Sequence, residues 1–114
     1  MPAARDDYLL RLITQAAAAL RRLRGKLAGG GATEEIVRDA GAAIGELLGP
    51  QRSVLDRLDA ASAAQIVGND DTIRAWSELL ILQADAEAAR GNSAVEQRLR
   101  QRAHSLAAHL KETP

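Results

Sequence analysis

The residues of this 114-residue chain that could bind a metal ion are few. The chain has no cysteine, and its two histidines are His104 and His109. Five residues of helix would place those two imidazoles about 140° apart around the helix axis, whereas zinc-binding histidines on one helix stand four residues apart. We therefore predict two exposed histidines, no metal site and no cofactor.

Carboxylates that could form an acid–base pair occur as Asp56 with Asp59 and as Asp85 with Glu87. Acid–base chemistry by such pairs requires a pocket that separates their pKa values. Asp59 stands where it would cap a helix, and the other carboxylates suit a solvated helix face. The sequence therefore predicts no catalytic residue and a non-enzymatic protein.

Two short motifs share residue types with ligand-binding loops without the full pattern. Residues 69–71 (NDD) lack the 12-residue ligand spacing of a calcium loop and are typical of a helix N-terminus. Residues 29–31 (GGG) follow no strand and precede no Gly-Lys-Ser/Thr, so they lack the pattern of a phosphate-binding loop. We predict a helix start at the first motif and a flexible turn at the second.

Charge is balanced over the whole chain but not along it. Fifteen basic and fifteen acidic side chains give no global field toward nucleic acid, yet residues 1–28 carry six basic and two acidic side chains. A group that we call the basic cluster consists of Arg21, Arg22, Arg24 and Lys26. It can complement a helix dipole in solvent, bind anionic lipid or an acidic partner, or pair with the acidic middle of the chain.

The elements that position these residues are predicted to be helices, because Ala, Leu and Arg dominate and only Tyr8 and Trp76 are aromatic. A first helix from Asp7 to Leu27 follows from apolar residues on one seam, at Leu9, Ile13, Ala16, Leu20, Leu23 and Leu27. Thr33 signals a second helix, which ends before residues 49–50 (GP).

The second half of the chain continues the helical pattern. Two short helices are expected between Gln51 and Gly68. A wide apolar sector that includes Trp76 predicts a central helix after residues 69–71, and a capping box from Ser93 to Glu96 predicts the start of a last helix. That helix is predicted to reach Leu110.

Turns of about three to five residues make helical neighbours antiparallel. The predicted fold is all-α, a compact helical bundle of two antiparallel helical hairpins joined by short helices, in a single domain over residues 1–114. Trp76 is expected to anchor its core.

Residues 7–13 (DYLLRLI), 34–36 (EEI) and 43–49 (AIGELLG) resemble a bacterial family of small uncharacterised proteins with tetratricopeptide-like helical hairpins. Residues 76–80 (WSELL) and 88–92 (AARGN) are similar to the turn region of a tetratricopeptide unit. The resemblance implies a tetratricopeptide-like fold and transfers no catalytic residue. The chain departs from the pattern because no second regular unit of 34 residues follows.

The preferred function is a helical protein-interaction scaffold or adaptor for an unidentified protein partner. The alternative is a peripheral membrane or acidic-partner binder that acts through the basic cluster. No apolar run approaches the roughly 18 residues of a membrane span, and the first residues lack a signal-peptide core, so we predict a cytoplasmic location. Leu10, Leu12 and Ala17 lie off the first seam, and we hypothesise a homodimer through the first helix.

Overall fold

Six α-helices and one 3-10 turn form the described part of the chain, and residues 2–111 contain no strand. The computed structural model describes the backbone of residues 2–111 and the side chains of residues 7–111. The helices are α1 (Pro2–Ala28), α2 (Thr33–Leu48), α3 (Arg52–Leu55), α4 (Ala60–Val67), α5 (Asp70–Ala89) and α6 (Ser93–Ala107), with the 3-10 turn at Gly49–Gln51. The predicted all-α fold is confirmed.

Helix α5 lies at the centre, since it contacts α1, α2, α4 and α6. Its apolar side chains are buried over most of its circumference, at Ile73, Ala75, Trp76, Leu79, Leu80, Leu82, Ala84 and Ala86. Helices α1 and α2 present Leu20, Leu23 and Ile44 to the same core. The predicted central helix, with Trp76 in the core, is confirmed.

Side-chain contacts between helices show how the hairpins run. Ser77 Oγ on α5 donates to the Ala103 carbonyl on α6 at 3.0 Å, in a fully buried position. Gln83 Nε2, in the second half of α5, donates to the Val37 carbonyl near the start of α2 at 3.2 Å. Helix α5 is therefore antiparallel both to α6 and to α2, and the bundle of two hairpins joined by the short helices α3 and α4 is confirmed.

The turn between α5 and α6 closes with a left-handed glycine. Gly91 has φ 81°, a conformation that costs other residues more than glycine. Its N–H donates to the Ala88 carbonyl at 3.1 Å, and the Asn92 N–H donates to the Glu87 carbonyl at 2.9 Å. These two bonds form a Schellman motif, which satisfies the carbonyls at the end of α5.

Two predicted helix ends are wrong. Helix α1 begins at Pro2, five residues before the predicted Asp7, because proline is favoured at a first helical position, where no N–H is required. Helix α6 ends at Ala107, before the predicted Leu110, although Leu110 still packs against the core.

The predicted capping box at Ser93 is also wrong. The Asn92 carbonyl accepts the first helical bond from the Glu96 N–H at 2.9 Å, so Ser93 is already the first helical residue and makes no cap bond. Glu96 accepts from Arg100 Nε at 2.9 Å instead of turning back to the helix start. A charged donor one turn later is the stronger partner for this carboxylate. Helix α2, by contrast, begins at Thr33 as predicted, although its N-cap residue is Ala32 and no side chain caps it.

None of the helices in the described part of the chain combines the length and the hydrophobicity that crossing a bilayer requires.

Candidate functional site

The basic cluster does not form one surface. All four of its side chains are exposed, but Arg22 and Arg24 point about 160° apart around α1. Arg24 Nη2 lies 3.9 Å from Glu78 Oε2 of α5, whereas Arg22 lines a shallow depression with Asp39 and Glu46 of α2. Arg24 therefore pairs with the acidic middle of the chain, which was one of the three interpretations of this cluster.

The other three cations of the cluster remain available to an external anion. Arg21, Arg22 and Lys26 form no ion pair within 4.0 Å among the residues whose side chains are described. Arg21 and Lys26 are exposed near the end of α1, where cations complement the negative end of the helix dipole.

The carboxylates that the sequence singled out have structural partners. Asp59 Oδ1 accepts from the Ser62 N–H at 2.7 Å and caps α4, as predicted. This bond, followed by the Ser62 side chain and the charges of Arg102 and His109, lowers the pKa of Asp59 below its ordinary 3.8. Asp56 lies 3.4 Å from Arg52 Nε.

The second carboxylate pair, Asp85 and Glu87, is engaged at the α5–α6 hairpin. Asp85 accepts from Arg100 Nη2 at 2.8 Å, and this bond is the main cause that raises the pKa of Arg100. Glu87 is buried and accepts from Arg90 at 3.1 Å and from the Asn92 side chain at 2.9 Å. Both carboxylates thus stabilise the hairpin.

The two histidines are exposed, as predicted; His104 lies on α6 and His109 lies beyond its end. Over residues 7–111, no group of three His, Asp or Glu side chains has the arrangement of a metal site.

An uncharged groove with a volume of about 340 Å³ opens at the end of the bundle where α1 begins and α2 ends. We call it the end groove. Its lining residues are Tyr8, Leu9, Leu12, Leu47, Leu48, Gly49, Pro50, Gln51, Leu55, Ile66, Val67, Asn69 and Thr72. None of these residues is charged, although 26% of the chain is Asp, Glu, Lys or Arg. Among the described residues, the end groove therefore carries fewer charges than the chain as a whole.

The floor of the end groove is an extension of the core, and its rims are exposed. Leu48 and Leu55 are buried beneath it, and Leu12 packs against the core beside them. Tyr8 on α1 and Ile66 on α4 form the rims and are 54% and 53% exposed. A partner seated here would cover two large apolar side chains that the chain itself leaves in solvent.

Polar groups without an internal partner stand at the edges of the end groove. Asn69 uses its Oδ1 to cap α5, accepting from the Thr72 N–H at 3.0 Å. Among the described hydrogen bonds, none involves Asn69 Nδ2, the Gln51 amide or the Tyr8 hydroxyl. These groups can bind backbone carbonyls or amides of a partner.

Sequence reasoning missed the end groove because six elements contribute to it. No periodicity within one helix indicates where α1, α2, α4 and α5 converge. The available signal was local: Tyr8 precedes the first seam, and Ile66 is apolar in a helix too short to bury both of its faces.

Comparison with protein families, with curated proteins and with solved structures finds no match to this chain. The resemblance to tetratricopeptide-like hairpin proteins stays a prediction.

Proposed function

We propose that this protein is a non-enzymatic interaction module that holds an apolar segment of a partner protein in the end groove. The observation that supports this function is an uncharged groove flanked by two exposed apolar rims, Tyr8 and Ile66. Apolar side chains at the centre of a protein interface are surrounded by polar groups, and the end groove offers both kinds of group.

The size and chemistry of the end groove favour part of a longer partner. Ligand pockets span roughly 300–1,000 Å³, so a volume of about 340 Å³ suits a few side chains of a protein segment. Burial of an unpaired charge is costly, and the lining residues whose side chains are described offer no charge to pair with, so an uncharged segment suits the end groove. Gln51 and Asn69 can bind its backbone.

Retention of a protein by the tagged chain at about 0.5 M salt tests the proposal, because apolar binding survives screening. We expect the retained protein to be lost with Tyr8→Asp and with Ile66→Asp, each of which places a charge in the end groove. Val54→Asp is the matched control, since Val54 is equally exposed but lies outside the lining. Equal retention by all three variants would reject the end groove as the binding site.

The alternative function is binding of anionic lipid or an acidic partner by Arg21, Arg22 and Lys26. Their exposure and lack of ion pairs among the described side chains support it. Binding to vesicles of phosphatidylserine should weaken in the triple Gln variant and fade at about 0.5 M salt, where screening acts within about 5 Å. Arg98→Gln on α6 is the control, and salt-resistant binding would contradict this mechanism.

A tetratricopeptide-like arrangement in a bacterial, cytoplasmic protein remains part of the proposal. Its support is the packing of α5, the first helix of the second hairpin, against both helices of the first hairpin. Stacked helical repeats contact their neighbours in this way.

A further inference from the structure

Arg102 of α6 reaches across to the segment that forms one wall of the end groove. We call residues 49–59 the connector; it contains the 3-10 turn and α3. Arg102 Nη1 donates to the Leu58 carbonyl at 2.7 Å, and Nη2 donates to the Leu55 carbonyl at 2.8 Å. The guanidinium also lies 5.4 Å from the centre of the Trp76 ring. One side chain thus joins α6, α5 and the connector.

The connector needs such support because it stabilises itself poorly. Helix α3 is four residues long, far below the length at which an isolated helix is stable. The carbonyls at its end have few helical partners, and a cation there is favourable. Of the α3 side chains, Leu55 alone is buried, at 1% exposure.

A second arginine fixes the other end of the connector. Arg52 Nη1 donates to the Gly41 carbonyl of α2 at 2.6 Å. Its guanidinium lies over Gly45, where an added Cβ would stand only 3.3 Å from Nη1. Helix α2 therefore accommodates Arg52 with glycine, and the connector is held from α2 and from α6 by arginine side chains.

Leu55 links this arrangement to the end groove. Its side chain lines the groove, while its carbonyl accepts from Arg102. Gly49, Pro50 and Gln51 of the same connector form the adjoining wall. Arg102 itself does not line the groove, so any influence on it acts through the connector.

We propose that Arg102 is a positioning residue that sets the shape of the end groove by holding the connector. The importance of that shape for binding rests on the proposed function. The positioning role of Arg102 does not, because it can be measured in the free protein without a partner. Loss of Arg102 should loosen residues 49–59 and displace the groove wall while the two hairpins stay folded.

The test compares Arg102→Met, which keeps an apolar stem and removes all the donors, with Arg98→Met, one turn earlier on the exposed side of α6. Amide exchange at Asp56 and Leu58 is measured in the free protein, because their N–H groups bond within the connector. We expect exchange at least about tenfold faster in Arg102→Met alone, the size that loss of a hydrogen bond from a charged donor gives. Arg102→Lys should be intermediate, since one ammonium cannot reproduce the fork.

The methyl NMR resonances of Leu12 and Ile66 report on the shape of the end groove, since both residues line it and neither bonds to Arg102. Shifted methyl resonances together with fast exchange confined to residues 49–59 would support the proposal. Unchanged methyl resonances, unchanged exchange, or opening of the whole bundle would overturn it.

Binding of the uncharged dye Nile red by wild type and by Tyr8→Asp separates this proposal from the proposed function. Equal dye binding by both would count against the end groove as an apolar binding site. The role of Arg102 would still be decided by exchange and by the methyl resonances.

Discussion

Trp76 is the largest fully buried side chain of the described core, with 1% of its surface exposed. Replacement by alanine removes an indole that lies on the buried side of α5 and packs beneath the guanidinium of Arg102. We predict that Trp76→Ala lowers the free energy of unfolding by about 3–5 kcal/mol. Urea denaturation followed by far-UV circular dichroism measures the loss, and Trp76→Phe should lose less. An unchanged unfolding midpoint would contradict the core position.

Two candidate helix caps should respond differently to truncation. Asn69 accepts from the Thr72 N–H at the start of α5, so Asn69→Ala should lower the free energy of unfolding by about 1 kcal/mol. Ser93 makes no cap bond, so Ser93→Ala should stay within about 0.5 kcal/mol of wild type. Thermal melts of both variants provide the comparison, and equal losses would restore the capping role to Ser93.

Asp59 gives the fold a dependence on acid. Its pKa in the folded protein lies below the ordinary 3.8, chiefly because the Ser62 N–H binds the carboxylate. Its contribution to stability is therefore present above about pH 4 and is lost as pH falls through the lowered pKa. Asp59→Asn keeps an acceptor without the charge and should flatten this part of the stability curve between about pH 2 and pH 6. An unchanged curve would assign the acid sensitivity to other carboxylates.

At the scale of helices and turns, two glycines should give opposite results when replaced by alanine. Gly91 has a positive φ that closes the α5–α6 turn, so Gly91→Ala should cost about 1–2 kcal/mol. Gly25 lies within α1 with open space around an added Cβ, so Gly25→Ala should stabilise by about 0.5–1 kcal/mol. Chemical denaturation distinguishes the two signs, and a loss at Gly25 would indicate a contact on that face of α1.

Helix positions could be predicted from the sequence because their cause is local. The seam from Leu9 to Leu27 and the cap at Asn69 follow from helical spacing and from side-chain chemistry within a few residues. The predicted capping box at Ser93 was wrong because Glu96 binds Arg100, one turn later in the helix. The fork from Arg102 to Leu55 was beyond prediction, since it spans 47 residues and leaves no periodic trace.

At the scale of the whole molecule, Leu10 is the most exposed large apolar side chain of those described, at 62%. Leu12, by contrast, lies in the end groove, and Ala17 is half-buried. The hypothesised homodimer through α1 therefore depends mainly on Leu10. Light scattering should show twice the monomer mass at micromolar concentration, and Leu10→Asp should abolish it while Val54→Asp does not. A monomer at every concentration would remove the hypothesis.

The end groove belongs to this scale as well. Its residues come from α1, α2, the connector, α4 and α5, and they meet only because the two hairpins pack together. Residue types along the chain indicated helices, whereas the groove required knowledge of which helix ends adjoin. The basic cluster, by contrast, could be identified from the sequence, because its residues are neighbours along α1.

The central position of α5 also governs how the protein is made. Helices α1 and α2 leave the ribosome before α5, and their apolar faces, with Leu23 and Ile44, are fully covered only when residues 70–89 follow. A nascent chain of which only α1 and α2 have emerged thus carries a hairpin with an open hydrophobic side, the kind of surface that chaperones bind. Once α5 has emerged, it can cover that side, and α6 then covers the remaining face of α5.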